Sequence, residues 1–492
     1  MAGVGTNAVW HSEAVIDAIA DFVVAPVAWP DPTLDTTRLC LVDAVGCAIG
    51  AVGDPDCARL LSPLFSPAPG WEMVPIPGTA WRLDPVTAAF DIGCAIRWLD
   101  FSDTSFVGGH PSDNLGAILA AACYGSRARQ RQGLPPLTLR DVQDAMIKAY
   151  EIQGRLAQAN RFDHPAVGLD HVIGVKIAST VVATHLLGGD AQAIRRALSN
   201  AFLDGQALNA YRHTPNAGTR KGWAGGDACA RAIWLALRTL QGEMGYPQPL
   251  SAPVWGFEAV HLGGRPVALA QPLGHGVMDG VIFKLSPCQR NASTALESAA
   301  MLRPWLADRL DDIATIRIYT HDEVMRRINK TGPLTTRAAR DHSLQYIVAT
   351  ALLKGAVHSE DYSDESASDP RIDALRDKME VIEDPAYTAG HHDPARVSCA
   401  NAVQIVLRSG ETSNRVETLY PMGDPTRRAE CLPRLLEKFA GLTARYWSEP
   451  QRAQVLAGLS HQAAMTSINV EDWLDGLAAG PDSPTGWPFA IV

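Results

Sequence analysis

The stretch from Asp170 to Leu187 is apolar on nearly every helical face, and Gly188-Gly189 ends it. A helix that is hydrophobic all round has no side to give to water, so it must lie at the centre of a helical body. Other helices are legible around it. Leu39, Val42, Val45 and Ile49 recur at helical spacing up to Gly50. Thr138 caps a helix that carries Val142, Met146, Ala149 and Ile152 on one face. Gly222 to Leu240 repeats the pattern with Trp223, Cys229, Ile233 and Leu237. The texture changes after about residue 265. Ile313 to Thr320 alternates like a strand, and Val403 to Arg408, the turn Ser409-Gly410, and Arg415 to Tyr420 read as a hairpin. Between them Ser343–Leu353 and Pro370–Val381 predict helices, and the acidic run Ser359–Asp369 predicts a surface loop. Residues 430–475 return to helix. A chain of 492 residues exceeds what one core usually serves. The predicted fold class is mainly α with a second α+β domain. The helical domain takes residues 1–268, the smaller α+β domain 269–425, and the part 426–492 rejoins the helical domain.

A formal charge of −10 and the lack of a basic stripe exclude nucleic acid as the main partner. An acidic protein still takes an acidic substrate where local Arg, Lys and His outweigh the global field. No apolar run reaches the roughly 18 residues of a membrane span. The 9 cysteines are scattered, mostly in apolar helical runs, with no Cys-x-x-Cys pair and no ligand spacing for an iron–sulfur cluster. They read as reduced thiols of an intracellular protein, cytoplasmic or, in a eukaryote, mitochondrial.

Chemistry concentrates on residues 100–114. Asp100, Asp103, Thr104 and His110 surround Gly108-Gly109 and run into a helix start at Ser112-Asp113. So much acid/base equipment on a short loop is expensive to bury, which marks a site. The bland alternative, loop and capping residues, does not account for histidine and aspartate occurring together with hinge glycines. His110 precedes a helix N-terminus, where a substrate carboxylate is favoured. Asp100 follows Trp98-Leu99, an apolar setting expected to raise its pKa toward general-base use. A second cluster, Tyr211 to Trp223, holds Arg212, His213, Arg220 and Lys221. It is either a solvated basic loop or a binding site for a polycarboxylate. His171 opens the apolar helix as a core histidine or a site residue. Lys284 ends the apolar Val281-Ile-Phe283, an edge residue unless the small domain folds over the large one. Nucleophile triads, His-x-x-x-His, phosphate loops and dinucleotide fingerprints are absent. The implied chemistry is acid/base work on a polyanion, with no metal and no organic cofactor.

These residues resemble the MmgE/PrpD family, and within it the branch that dehydrates 2-methylcitrate. The resemblance is carried by Trp98-Leu-Asp-Phe-Ser-Asp-Thr with Gly109-His-Pro-Ser-Asp-Asn, by Val167-Gly-Leu-Asp-His-Val, and by Tyr211-Arg-His-Thr-Pro-Asn through Arg220-Lys-Gly-Trp-Ala. Gly242-Glu-Met-Gly-Tyr-Pro with Pro253-Val-Trp-Gly-Phe, Asp341-His-Ser-Leu-Gln-Tyr and Asp384-Pro-Ala-Tyr-Thr extend it along almost the whole chain. It implies a large helical domain made from both chain ends, a smaller α+β lid, a homodimer, and catalysis without a metal. The implied reaction removes water from 2-methylcitrate or an alkyl-substituted citrate to give an aconitate-type alkene. Alternatives are decarboxylation of a cis-aconitate-type acid, isomerase or epimerase work on a related diacid, and an inactive binding homologue. The family's site positions fall on Asp100, Thr104, His110, His171, Lys221 and Lys284. His110 is the expected base, oriented by Asp100 or Thr104, and Lys221 or His171 the acid. Arg212, His213, Arg220 and Lys284 are expected to bind carboxylates. One stretch departs from the family: Ser286-Pro-Cys-Gln-Arg290-Asn291-Ala-Ser293 is one residue shorter and carries Arg290 and Asn291 in place of an aromatic and an imidazole. Asp424 likewise replaces a usual histidine. Arg290 and Asn291 are expected to face the substrate and to admit a longer alkylcitrate or another citrate-like acid.

Overall fold

The central helix runs Val172–Leu186, and its side chains are buried except at His185. It packs against Leu115–Arg131, Leu139–Asn160, Ala191–Leu203 and Arg220–Leu240. Its few polar groups are spent internally: Ser179 Oγ donates to Asn114 Oδ1 at 2.7 Å, and Thr180 and Thr184 hydroxyls donate back to Lys176 and Thr180 carbonyls. The computed structural model describes residues 13–61, 63, 73–105, 109–213, 218–393, 396–459 and 461–478.

Helix Pro85–Trp98 starts on the Asp84 cap, with Pro85 in the first turn. It crosses Arg220–Leu240 antiparallel through glycines. A Cβ on Gly93 would lie 2.9 Å from Gly226 Cα, and one on Gly226 would lie 2.4 Å from the Phe90 carbonyl. The crossing sets the end of the first helix against the start of the second, where a Cβ on Gly222 would meet Trp98 at 2.7 Å. Asp100 and Lys221 therefore arrive at the same corner of the fold.

The second body is a sheet in the order Met379–Glu383, Ile313–Thr320, Asn401–Leu407, Val416–Thr418. The first pair is parallel, with Ile318 opposite Val381, and the other pairs are antiparallel. Helices Ser293–Leu306 and Leu344–Lys354 share its core. Two local expectations need correction. The helix predicted over Pro370–Val381 stops at Arg376, and Met379–Glu383 is a strand captured by its parallel neighbour. The segment Ser359–Asp369 is two capped turns rather than a plain loop, Ser359–Tyr362 and Asp364–Ala367, with Asp361 and Tyr362 buried.

Two large apolar cores result. One collects residues from Ile16 to Phe283 and again from Cys431 to Leu477; the other runs from Cys288 to Leu407. Met278, Val281 and Phe283, beyond the Gly- and Pro-rich stretch, bury in the helical body. All 9 cysteines are buried and unbridged. Among the described residues no helix is long and apolar enough to cross a membrane.

Candidate active site

Asp100 is the hub. It follows helix Pro85–Trp98 in the left-handed region, φ 50°, which aspartate tolerates better than most side chains. Its Oδ1 lies 2.6 Å from Arg97 Nη1, 3.1 Å from Lys284 Nζ and 3.3 Å from His110 Nε2. Its Oδ2 lies 3.5 Å from Lys221 Nζ. Burial alone would raise this carboxyl, but Arg97, Lys284 and Lys221 outweigh it and hold Asp100 well below the usual carboxylate range. The expectation of a raised, base-like Asp100 is therefore overturned. It is a fixed anion that gathers three cations and an imidazole.

His110 Nδ1 lies 2.8 Å from the Asp103 carbonyl, which can only accept, so this nitrogen carries the proton and Nε2 carries the lone pair. Burial, then the Arg97 charge, keep the imidazole well below its ordinary pKa, hence neutral. Asp103 is held by Ser112 N–H at 3.1 Å and Tyr150 O–H at 2.9 Å. Thr104 does not touch Asp100. Its hydroxyl donates to the Gly109 carbonyl at 3.0 Å, and its backbone exchanges hydrogen bonds of 2.9 and 2.8 Å with Ile282. That exchange delivers Lys284, two residues on, to Asp100, whose carbonyl it also binds.

His171 faces the same loop. Gly109, at φ 80°, is glycine for two reasons: a Cβ there would meet the His171 ring at 2.3 Å, and the left-handed conformation carries no steric cost for glycine. Burial and the Arg212 charge depress His171 to about 4. Its Nε2 is buried without a hydrogen-bond partner. Arg212 forms a two-point pair with buried Asp170, which lies 3.5 Å from His171 Nδ1. Arg212 is thus committed to Asp170 behind His171. His213 is exposed. Arg220 lies near the surface, 3.3 Å from Asp227, and stacks over Trp223. Of the four cationic groups of this segment, Lys221 alone enters the Asp100 cluster. Residues 214–217 and 106–108 lie outside the described residues.

The second body contributes Asp341 and His342 to this cluster. Lys221 Nζ donates to Asp341 Oδ2 at 2.7 Å and Oδ1 at 2.8 Å, and lies 3.1 Å from His342 Nδ1. Burial, then the Lys221 charge, lower His342 to about 4. Donor atoms of Asp100, Asp341 and His342 all lie within 4.8 Å of one another, the spacing of a cation site. The ammonium of Lys221 reaches all three. Arg290 and Asn291 belong to this body. Gln289 N–H donates to the Asp341 carbonyl at 2.9 Å, but Arg290 Nη1 is directed at Cys399 Sγ, 3.3 Å away, and Asn291 is buried with its carbonyl on Asn401. Asp424 caps the turn Pro425–Arg427 through Thr426.

Sequence reading missed Arg97, Asp341 and His342 as site residues. The motif Asp341-His-Ser-Leu-Gln-Tyr carried the signal for two of them; nothing local marked Arg97, one turn before Asp100 on an apolar helix.

The sequence model of the MmgE/PrpD N-terminal domain matches residues 17–270, and that of the MmgE/PrpD C-terminal domain matches 286–462. The chain is 46% identical over 473 residues to the 2-methylcitrate dehydratase of Cupriavidus necator, covering 94% of this chain and 96% of that protein. It is 44% identical over 463 residues to the 2-methylcitrate dehydratase of Escherichia coli K12, with 93% and 95% covered. A Yarrowia lipolytica protein named 2-methylcitrate dehydratase, mitochondrial, is 42% identical over 481 residues, with 95% and 91% covered.

Proposed function

We infer the function from one premise: this chain belongs to the MmgE/PrpD family. It is a hydro-lyase that eliminates water from 2-methylcitrate or an alkyl-substituted citrate, giving an aconitate-type alkene. One observation supports the site assignment above the others. An ionised Asp100 touches both a neutral imidazole, His110, and an ammonium, Lys221, from segments far apart in the chain.

The hydrogen removed is α to a carboxylate. His110 Nε2 takes it, and the C–H electron pair becomes the new C=C bond as the C–O bond breaks. The imidazolium that forms has Asp100 Oδ1 at 3.3 Å to receive its new N–H. Arg97, Lys221 and Lys284 supply positive charge where the enediolate-like anion develops. Lys221 gives a proton to the departing hydroxyl, which leaves as water. Asp100 contacts both the protonated base and the spent acid, so the proton has a short route back. Thr104 and Gly109 shape the loop, and Arg212 acts through Asp170 on His171. Arg220 and His213 stand outside the cluster and carry no role in this reading.

Mass spectrometry of products from citrate, 2-methylcitrate and cis-aconitate tests it. Loss of water from 2-methylcitrate is expected. Release of carbon dioxide from cis-aconitate without dehydration would replace this reading with a decarboxylase, and tight binding of all three without turnover would replace it with a binding protein. We propose a homodimer, supported by the apolar side chains of Leu203, Trp234, Met244 and Tyr246 left exposed. We also propose a cytoplasmic location, or a mitochondrial one in a eukaryotic source, as the Yarrowia relative is named.

A further inference from the structure

The turn Pro111–Asn114, which follows His110, packs on helix Leu139–Asn160. Tyr150 and Gln153, three residues apart, share one face of that helix. Gln153 Oε1 accepts from Asn114 Nδ2 at 2.5 Å, just past His110 in the chain. The Tyr150 hydroxyl donates to Asp103 Oδ2 at 2.9 Å, seven residues before His110. One helical face therefore grips the catalytic loop on both sides of the imidazole.

Asp103 is bound at three atoms. Its carbonyl accepts the His110 Nδ1–H at 2.8 Å, its Oδ1 accepts the Ser112 N–H at 3.1 Å, and its Oδ2 takes the tyrosine hydroxyl. Carboxylate and carbonyl belong to one residue, so an aspartate released from Tyr150 also loosens the acceptor of the imidazole N–H. That acceptor decides which ring nitrogen carries the proton. Asp103 and Tyr150 are each 0% exposed. A carboxylate and a phenol are costly to bury, and an apolar pair of the same shape would serve the core as well. An apolar pair would not hold the backbone at 103 against the imidazole.

We propose that Tyr150 is a positioning residue for His110: through Asp103 it fixes the tautomer of the imidazole and the aim of its Nε2 lone pair. This role rests on the dehydratase reading, in which His110 is the base. It ties the chemistry to helix Leu139–Asn160, which brings no group of its own to the Asp100 cluster.

The test uses the full chain with Tyr150→Phe, alone and combined with His110→Asn. With 2-methylcitrate, Y150F lowers kcat about 10- to 100-fold, the range of a misaimed catalytic group. Its KM stays within about threefold, because no carboxylate-binding group is lost. In the H110N background the same change lowers kcat by less than about twofold, since no imidazole is left to aim. A folded Y150F with wild-type kcat overturns the proposal, and so does an equal fall in kcat with and without His110. If Y150F does not fold, Asp103→Asn takes its place in the same cycle. Its single side-chain oxygen can accept from Ser112 or from Tyr150 but not from both, and the same two outcomes decide. The dehydratase reading fails separately, by absence of alkene from the wild-type chain. In that case nitrogen-15 NMR of the His110 ring, assigned by its loss in H110N, decides on Tyr150. A single Nδ1–H tautomer in the wild type that becomes a mixture in Y150F supports the role, and the same tautomer in both ends it.

Discussion

At the scale of single residues, the site works because burial and neighbouring charge push like groups in opposite directions. Asp100 is held ionised, while His110 is held neutral 3.3 Å away. The active form of His110 in this reading is the neutral one. Its folded pKa lies well below the ordinary histidine value, so activity persists as pH falls through 6.5 and is lost only below it. A kcat/KM profile with its acid limb at or above the ordinary histidine value would contradict this. His110→Asn removes the lone pair and cuts kcat by roughly 10²-fold or more; single-turnover kinetics on the purified variant read it. The sequence marked Asp100 and His110 as site residues, yet it misjudged the charge state of Asp100. Trp98 and Leu99 were visible beside it, whereas Lys221 and Lys284 lie 121 and 184 positions away. An electrostatic environment assembled by tertiary structure leaves no local trace.

At the scale of elements, what repeats along the chain was legible and what depends on close approach was not. The Thr138 cap appears as a capping box with Asp141, and the alternating Ile313–Thr320 is a strand. Pro370–Val381 misled because Met379-Glu-Val-Ile-Glu carries no strong turn signal before it; its strand state is conferred by the parallel partner. The glycine crossing of Pro85–Trp98 with Arg220–Leu240 was likewise invisible, since the close approach of Gly93 to Gly226 exists only once both helices are placed in space. Its consequence is testable. Gly226→Ala sets a Cβ 2.4 Å from the Phe90 carbonyl, backbone that cannot swing aside. The helices must separate, at a cost of about 1–3 kcal/mol, seen as a lower urea midpoint. Because Asp100 and Lys221 sit at the end of this crossing, kcat falls as well. A fully active, equally stable G226A would show that the crossing does not set the site.

At the scale of the whole molecule, the returning C-terminal segment completes the site as well as the core. Lys438, on helix Arg428–Thr443, is buried and donates to Asp43 Oδ1 at 2.6 Å, to the Phe101 carbonyl at 2.6 Å and to the Lys284 carbonyl at 2.9 Å. One ammonium thus joins the start of the chain, the Asp100 loop and the segment that carries Lys284 into the cluster. It stands against the ring of Phe101 at 3.9 Å, so it also covers the loop's apolar face. Burial raises the Asp43 carboxyl to about 6 even with Lys438 beside it. Removing the lysine leaves a buried acid without its cation, a loss of about 3–5 kcal/mol for a broken buried pair. Lys438→Met should therefore lower the urea midpoint and, in the fraction that stays folded, reduce kcat as the two carbonyls lose their common donor. The double variant Asp43→Asn with Lys438→Met separates the effects. It recovers stability because no buried carboxylate is stranded, while kcat stays low because Phe101 and Lys284 remain untied. Recovery of both together would mean that Lys438 serves the core alone and that the catalytic loop keeps its shape without the C-terminal segment.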